Sequence, residues 1–146
     1  VYPPDVIPGA WDAISEMADT GIIISSQEIF LELQAQDDGI YEWACNHKDI
    51  FLPLEEQIQR KAMEILKIYP KIIDIKQSKS SADPFLIATA LVKSCSVVTE
   101  EKPTGPDSKT VKIPNVCRSL HIDCVCLLDL LRSEKVCLEM KRTGMN

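Results

Sequence analysis

At 146 residues, with 45% apolar and 26% charged side chains, the chain has the size and balance of a single globular domain spanning residues 1–146. A net charge of −6 argues against holding nucleic acid by bulk attraction, yet leaves room for an enzyme that seats metal ions between carboxylates and adds a local basic patch. No apolar run reaches the length of a membrane span and no secretory signal is visible, so the six cysteines read as reduced thiols in a cytoplasmic protein.

Val1 to Pro8 carries three prolines and reads as extended chain. Trp11, Ile14, Met17 and Ala18 recur at helical spacing, and Gly21 closes that helix. Ile22-Ile23-Ile24 reads as a short apolar strand. Ser25 or Ser26 then caps a helix, because Ser25-Ser26-Gln27-Glu28 has the spacing of a capping box. That helix is expected to bury Ile29 and Leu33, with Phe30 beside them, and to place Glu28 and Glu32 on one face. Asp37-Asp38-Gly39 breaks it, and Ile40 to about His47-Lys48 suggests another. Glu55 to Tyr69 is plainly amphipathic, Pro70 stops it, and Lys71 to Ser81 is polar.

The next stretch organises the rest. Asp83-Pro84 opens a helix of small and apolar residues, with Pro84 suited to its first turn and Asp83 to its cap. Val97-Val98 reads as a strand buried on both faces, closing on Thr99-Glu100-Glu101. Lys102 to Thr110 is an irregular loop, Pro114 opens a short helix through Leu120, Cys124 to Cys126 is a strand and Leu127 to Leu131 a last helical turn or two. Helix and strand alternate, which predicts a parallel sheet covered by helices on both faces. If the strands are parallel, Asp83 meets Glu100 and Glu101 at the carboxyl edge, where open α/β folds take ligands. Only three strands are legible, near 22–24, 96–99 and 123–126, which is few for such a sheet.

Each acid also has a plain structural reading: Asp83 as a helix cap, Glu28 as a capping-box residue, Glu32 as an exposed helix position, Glu100 and Glu101 as loop charges. Convergence makes the case for more, because carboxylates gathered at one edge suit Mg²⁺ or Mn²⁺ and metal-assisted attack of water on a phosphodiester. Thr99 could hydrogen-bond a metal-bound water. Lys102, Lys109, Lys112 and Arg118 would supply one basic rim for phosphates, although a solvated loop carries lysines anyway. Cys124-x-Cys126 has no second pair at zinc spacing, so the cysteines read as packed thiols. His47 and His121 have no partner at catalytic spacing, and neither a phosphate loop nor a Gly-x-Ser-x-Gly elbow occurs.

Ser81-Ala82-Asp83-Pro84-Phe85-Leu86-Ile87-Ala88-Thr89-Ala90 followed by Val97-Val98-Thr99-Glu100-Glu101-Lys102 resembles the second half of a PIN-domain ribonuclease. The Tyr2-Pro3-Pro4-Asp5 opening, Trp11, Ile24-Ser25, Glu32-Leu33 and Lys112-Ile113-Pro114-Asn115-Val116-Cys117 are similar to a PIN-like bacterial and archaeal family related to the toxins of toxin–antitoxin operons. The resemblance implies a three-layer α/β/α fold with a doubly wound parallel sheet, an acidic pocket for Mg²⁺ or Mn²⁺, and cleavage of single-stranded RNA. By position it makes Glu32, Asp83 and Glu101 the catalytic and metal-binding acids, with Glu100 and Thr99 in support. RNA, an antitoxin protein and a second copy of the chain are the implied partners. PIN domains begin with a strand ending in a metal-binding aspartate. Nothing before Val1 supplies it and Asp5 does not match it, so the first central strand and its acid are expected to be missing. Three functions therefore stay open: a metal-dependent endoribonuclease, a catalytically inactive PIN-like interaction protein, and a DNA-directed nuclease.

Overall fold

The computed structural model describes residues 3–36, 39–73, 82–139 and 142. In chain order these form α1 (Pro8–Asp19), β1 (Ser25–Ser26), α2 (Gln27–Gln36), α3 (Ile40–Cys45), β2 (Phe51–Leu52), α4 (Glu56–Ile68), α5 (Asp83–Lys93), β3 (Val97–Val98), α6 (Ile113–Ser119), β4 (Cys124–Val125) and α7 (Leu127–Ser133). Single 3-10 turns lie at Lys48–Ile50 and Pro70–Ile72.

The main core forms where α4 packs on α5. Ile58, Ala62 and Ile65 repeat on one side of α4 at helical spacing and are buried, while its charged residues face water. On α5 the buried residues are Pro84, Ile87, Ala88, Thr89 and Ala90, and the two alanines let the helices approach closely. Ile72, Val97, Ile113, Val116 and Cys117 complete this cluster, so β3 and α6 are seated on the same core. A smaller cluster of Ala13, Met17, Leu127 and Leu131 joins α1 to α7. Thr89 sits at a buried position because its hydroxyl donates to the Phe85 carbonyl, 2.7 Å away, inside its own helix.

Strand pairing is parallel, as the alternation of helix and strand predicts. Ser25 pairs with Phe51 and Ser26 with Leu52 in one ribbon, Val97 with Cys124 and Val98 with Val125 in the other. Helix α5 packs against both β1 and β3, so it backs both ribbons. Among the described residues no ladder joins one ribbon to the other. The chain is thus mixed α/β with two small parallel ribbons.

Several expectations are corrected. Ile22-Ile23-Ile24 is not the first strand. Gly21, at φ +78°, turns the chain back so that the Ile22 and Ile23 amides bond the Met17 carbonyl at 2.9 and 3.3 Å, and the strand starts only at Ser25. Val97 is 3% exposed but Val98 is 40% exposed, so β3 is buried on one face and not on both. None of the α2 residues is fully buried: Ile29, Phe30 and Leu33 are half-covered by a ribbon too short to hide them. The Phe51–Leu52 strand leaves no mark in the sequence, since two residues show no periodicity. Expectations about Asp37-Asp38, Tyr2 and residues 74–81 fall outside the described residues. No helix among the described residues is long and apolar enough to cross a membrane.

Candidate functional site

Three elements deliver acids to one place. Asp83 is the first residue of α5, Glu32 comes from α2, and Glu101 follows β3. Asp83 does not cap its helix, contrary to the sequence reading. Ala82 takes the cap position in helical conformation and its carbonyl accepts the Phe85 and Leu86 amides, both at 3.0 Å. The Ala82 amide donates instead to Glu32 Oε1 at 3.0 Å, across fifty residues of sequence. The Asp83 carboxyl is therefore left to its surroundings. Its pKa is pushed from an ordinary 3.8 up to about 7, first by burial, then by the charge of Glu101, then by that of Glu32, with Lys112 opposing. Glu32, Glu101 and Lys112 are thus each within electrostatic reach of Asp83.

The adjacent acids Glu100 and Glu101 part company. Thr99 Oγ1 accepts the Glu101 amide at 3.1 Å, a local turn that ends the strand, and Glu101 Oε2 accepts the Ile113 amide at 3.1 Å, at the start of α6. Glu100 goes to the other side, where its Oε1 accepts the Leu127 amide at 2.9 Å, at the start of α7. Each acid satisfies an amide that a helix start leaves unbonded, and the negative charge suits the positive end of the helix. Only Glu101 of the two is near enough to disturb Asp83. Glu28 plays no part in the cluster. The hydroxyl that caps α2 is that of Ser26, which lies 3.4 Å from the Ile29 amide.

Beside the acids lies an open cleft of about 570 Å³, lined among others by Thr99, Glu100, Glu101, Lys102, Arg118 and Cys124. Of the four basic residues singled out in the sequence, Lys102 and Arg118 line this cleft, Lys112 acts on Asp83, and Lys109 is exposed on the loop away from it. Asp123 lines the cleft as well, so its charge is mixed.

Asn115 is a residue that sequence reasoning missed. Its Oδ1 accepts the amides of Thr104 (3.0 Å) and Lys112 (3.1 Å), and its Nδ2 donates to the Thr104 carbonyl at 3.0 Å. Thr104 Oγ1 adds a bond to the Thr110 carbonyl at 2.9 Å. The loop between β3 and α6 is thereby clasped, and Lys112 and Glu101 are held at its two ends. The signal available was an asparagine in the first turn of a helix opened by Pro114, a position suited to bonding back to the preceding chain.

Burial pushes the Cys117 thiol up to about 12, helped by Cys124, and burial also raises Cys124. Burial thus favours the neutral thiol over the thiolate at both positions. The carboxylates offer the hard oxygen donors that Mg²⁺ and Mn²⁺ prefer, and their mutual repulsion fits a divalent cation. Among the described residues, however, no three His, Cys, Asp or Glu side chains are already drawn up as a metal cage.

No curated protein and no solved structure matches this chain. A family model matches residues 1–138, which is nearly the whole length, and the description of that family is "Domain of unknown function" (DUF4411). On that match the chain belongs to the DUF4411 family.

Proposed function

We propose that this chain is a PIN-type, Mg²⁺- or Mn²⁺-dependent endoribonuclease of the cytoplasm that cuts single-stranded RNA as the toxin of a toxin–antitoxin pair. The observation that carries this reading is the meeting of Glu32, Asp83 and Glu101, from three separate elements, around a carboxyl whose pKa is raised to about 7. Carboxyls perturbed by burial and by like charges cluster at functional sites, where acid–base and metal-binding groups are tuned in this way. Glu32, Asp83 and Glu101 would hold the ion, which when bound polarises a phosphoryl oxygen and lowers the pKa of a water. Asp83, whose carboxyl is held near neutrality by burial and by Glu101, would have to give up its proton to serve as a ligand. Lys102 and Arg118, on the cleft wall, orient the phosphate backbone, and the Asn115 clasp keeps Lys112 beside the acids.

The finer fold follows the same reading. Both ribbons are parallel, both are backed by α5, and β1 and β3 lead by way of α2 and Thr99 to the same acids. They are read as two halves of one PIN-like sheet in a three-layer α/β/α arrangement, with a central strand between β1 and β3 whose acid would join the cluster. A second reading has its own support. Glu32 and Glu101 each already accept a helix-start amide, so a non-catalytic PIN-like binding protein would keep them for structure alone.

Calorimetric titration with Mn²⁺ separates the two. It is done on this chain and on one extended upstream through the genomic reading frame, with Asp83→Asn in each as control. Binding by the extended chain, lost in Asp83→Asn and followed by cutting of single-stranded RNA in preference to single-stranded DNA, is the expected result. Absence of binding by either chain at millimolar Mn²⁺ would overturn the nuclease reading in favour of the binding protein.

A further inference from the structure

A second cavity, sharing no lining residue with the acidic cleft, opens between α1 and α3. It measures about 260 Å³ and is lined by Trp11, Trp43, Pro4, Ile40, Glu42 and Asn46, with Gly39. The two indoles meet edge to face, centroids 5.6 Å apart and planes at 66°. Trp43 is locked in place. Its Nε1 donates to Ser15 Oγ at 2.9 Å, and the His47 ring stacks on it at 4.2 Å with planes 18° apart. His47 is itself tethered, Nδ1 lying 2.8 Å from the Trp43 carbonyl oxygen and Nε2 3.8 Å from Asp19. The pocket wall is therefore built before any ligand arrives.

Its chemistry selects for a cation. Indoles attract positive charge through their quadrupole, and Trp is the strongest of the aromatic side chains in this respect. Glu42 adds a carboxylate with no ion-pair partner among the described residues. The chain carries a net charge of −6, which draws basic partners and repels phosphates. The volume suits one long side chain, and exposed Pro4, Glu42 and Asn46 leave room for the backbone that bears it. A guanidinium fits better than an ammonium, being planar for stacking on an indole and forked for bonding the Glu42 carboxylate and the Asn46 amide oxygen. We propose that the Trp11–Trp43 cavity is a docking site for an arginine side chain of a basic polypeptide partner, with Glu42 as its counter-charge.

Trp11 and Trp43 are the only two tryptophans in the chain, so emission excited at the red edge, where the three tyrosines do not absorb, comes from the two indoles of this cavity. The probe is a capped Gly-Gly-Arg-Gly-Gly peptide, beside its neutral citrulline counterpart, a capped arginine amide and a short single-stranded RNA. The expected result is a saturable emission change with the arginine peptide, weakened about tenfold or more by citrulline or by Glu42→Gln. The arginine amide alone should bind more weakly than the peptide. Glu42 is exposed in the first turn of α3, so its glutamine variant should fold, and the citrulline peptide tests the same point on the unaltered protein. Equal response to citrulline, binding of the amide as tight as that of the peptide, saturation by RNA instead, or no change at millimolar peptide would each overturn the proposal.

Discussion

The carboxylates of α4 and those at the sheet edge are the same residue types under opposite conditions. On and beside α4, Glu56 pairs with Arg60, Glu64 with Lys61 at 2.7 Å and Glu55 with Lys93 at 2.9 Å, all at substantially exposed positions. Water already solvates these charges, so each pair adds little. At the edge, Glu32 and Glu101 both act on Asp83 with Lys112 in opposition, and Asp83 is half-buried. The first group stabilises the surface slightly. The second destabilises the folded chain in its ionised form.

Both groups rest on one core, so the largest expected effect treats them alike. Ile87, fully buried on α5, is in the cluster that includes Ile58 and Ile65 of α4. Ile87→Ala should cost about 3–4 kcal/mol in urea unfolding, and by the same amount at pH 5 and pH 8. A pH-dependent loss there would mean that the core and the acids are not separable.

Asp83→Asn should come next and has the opposite sign. Below pH 3.8 the carboxyl is protonated in both folded and unfolded chains and contributes nothing. Between pH 3.8 and about 7 the unfolded chain ionises while the folded one holds its proton, so stability falls as pH rises, and above about 7 the penalty is constant. The full shift corresponds to an upper bound of about 4 kcal/mol, which solvent screening at a half-buried site reduces to on the order of 2 kcal/mol. The variant should thus be more stable than the parent by on the order of 2 kcal/mol at pH 8 and equal to it near pH 3.5. A loss of stability at pH 8 would show that Asp83 has a bond outweighing its burial.

A smaller effect should follow Glu101→Gln, which keeps an acceptor for the Ile113 amide and removes a charge. The Asp83 pKa should fall, and fall further than in Glu32→Gln, because Glu101 is the larger of the two electrostatic causes. Carbon-detected NMR titration of the Asp83 carboxyl measures both. Smallest of all is Glu56→Gln on the exposed face of α4, expected to change unfolding free energy by less than about 0.5 kcal/mol at any pH.

The identity of the acids was legible in the sequence, but the bonds that arrange them were not. Spacing placed α4 within a residue of its observed ends, since an amphipathic repeat over 13 residues leaves little choice. Parallel pairing followed from the order of elements. By contrast, a cap on Asp83 was the natural local reading, and it failed because α5 is entered one residue earlier, where the Ala82 carbonyl takes the Phe85 and Leu86 amides and the Ala82 amide bonds Glu32, fifty residues back. Local rules see neighbours along the chain, whereas that bond depends on how α2 lies against α5. The shift of the first strand from Ile22–Ile24 to Ser25–Ser26 has a different cause: the Met17 carbonyl captured two amides that a strand would have used. Similarly, nothing along the sequence joins Trp11 to Trp43, which meet only because α1 and α3 do.

The Asn115 clasp has a consequence for how this fold tolerates change. Thr104 is bonded both to Asn115 and to the Thr110 carbonyl, so residues 105–109 form a closed appendix whose ends are already fixed. Lengthening such an appendix adds only closure entropy, about 0.6 kcal/mol for each doubling, and exerts no leverage on Glu101 or Lys112. Gly105 has open space around it and Pro106-Asp107 is exposed, so this turn is a natural port for grafted sequence. An epitope, a fluorophore or a surface tether inserted there would ride on the molecule while the carboxylate edge keeps its geometry.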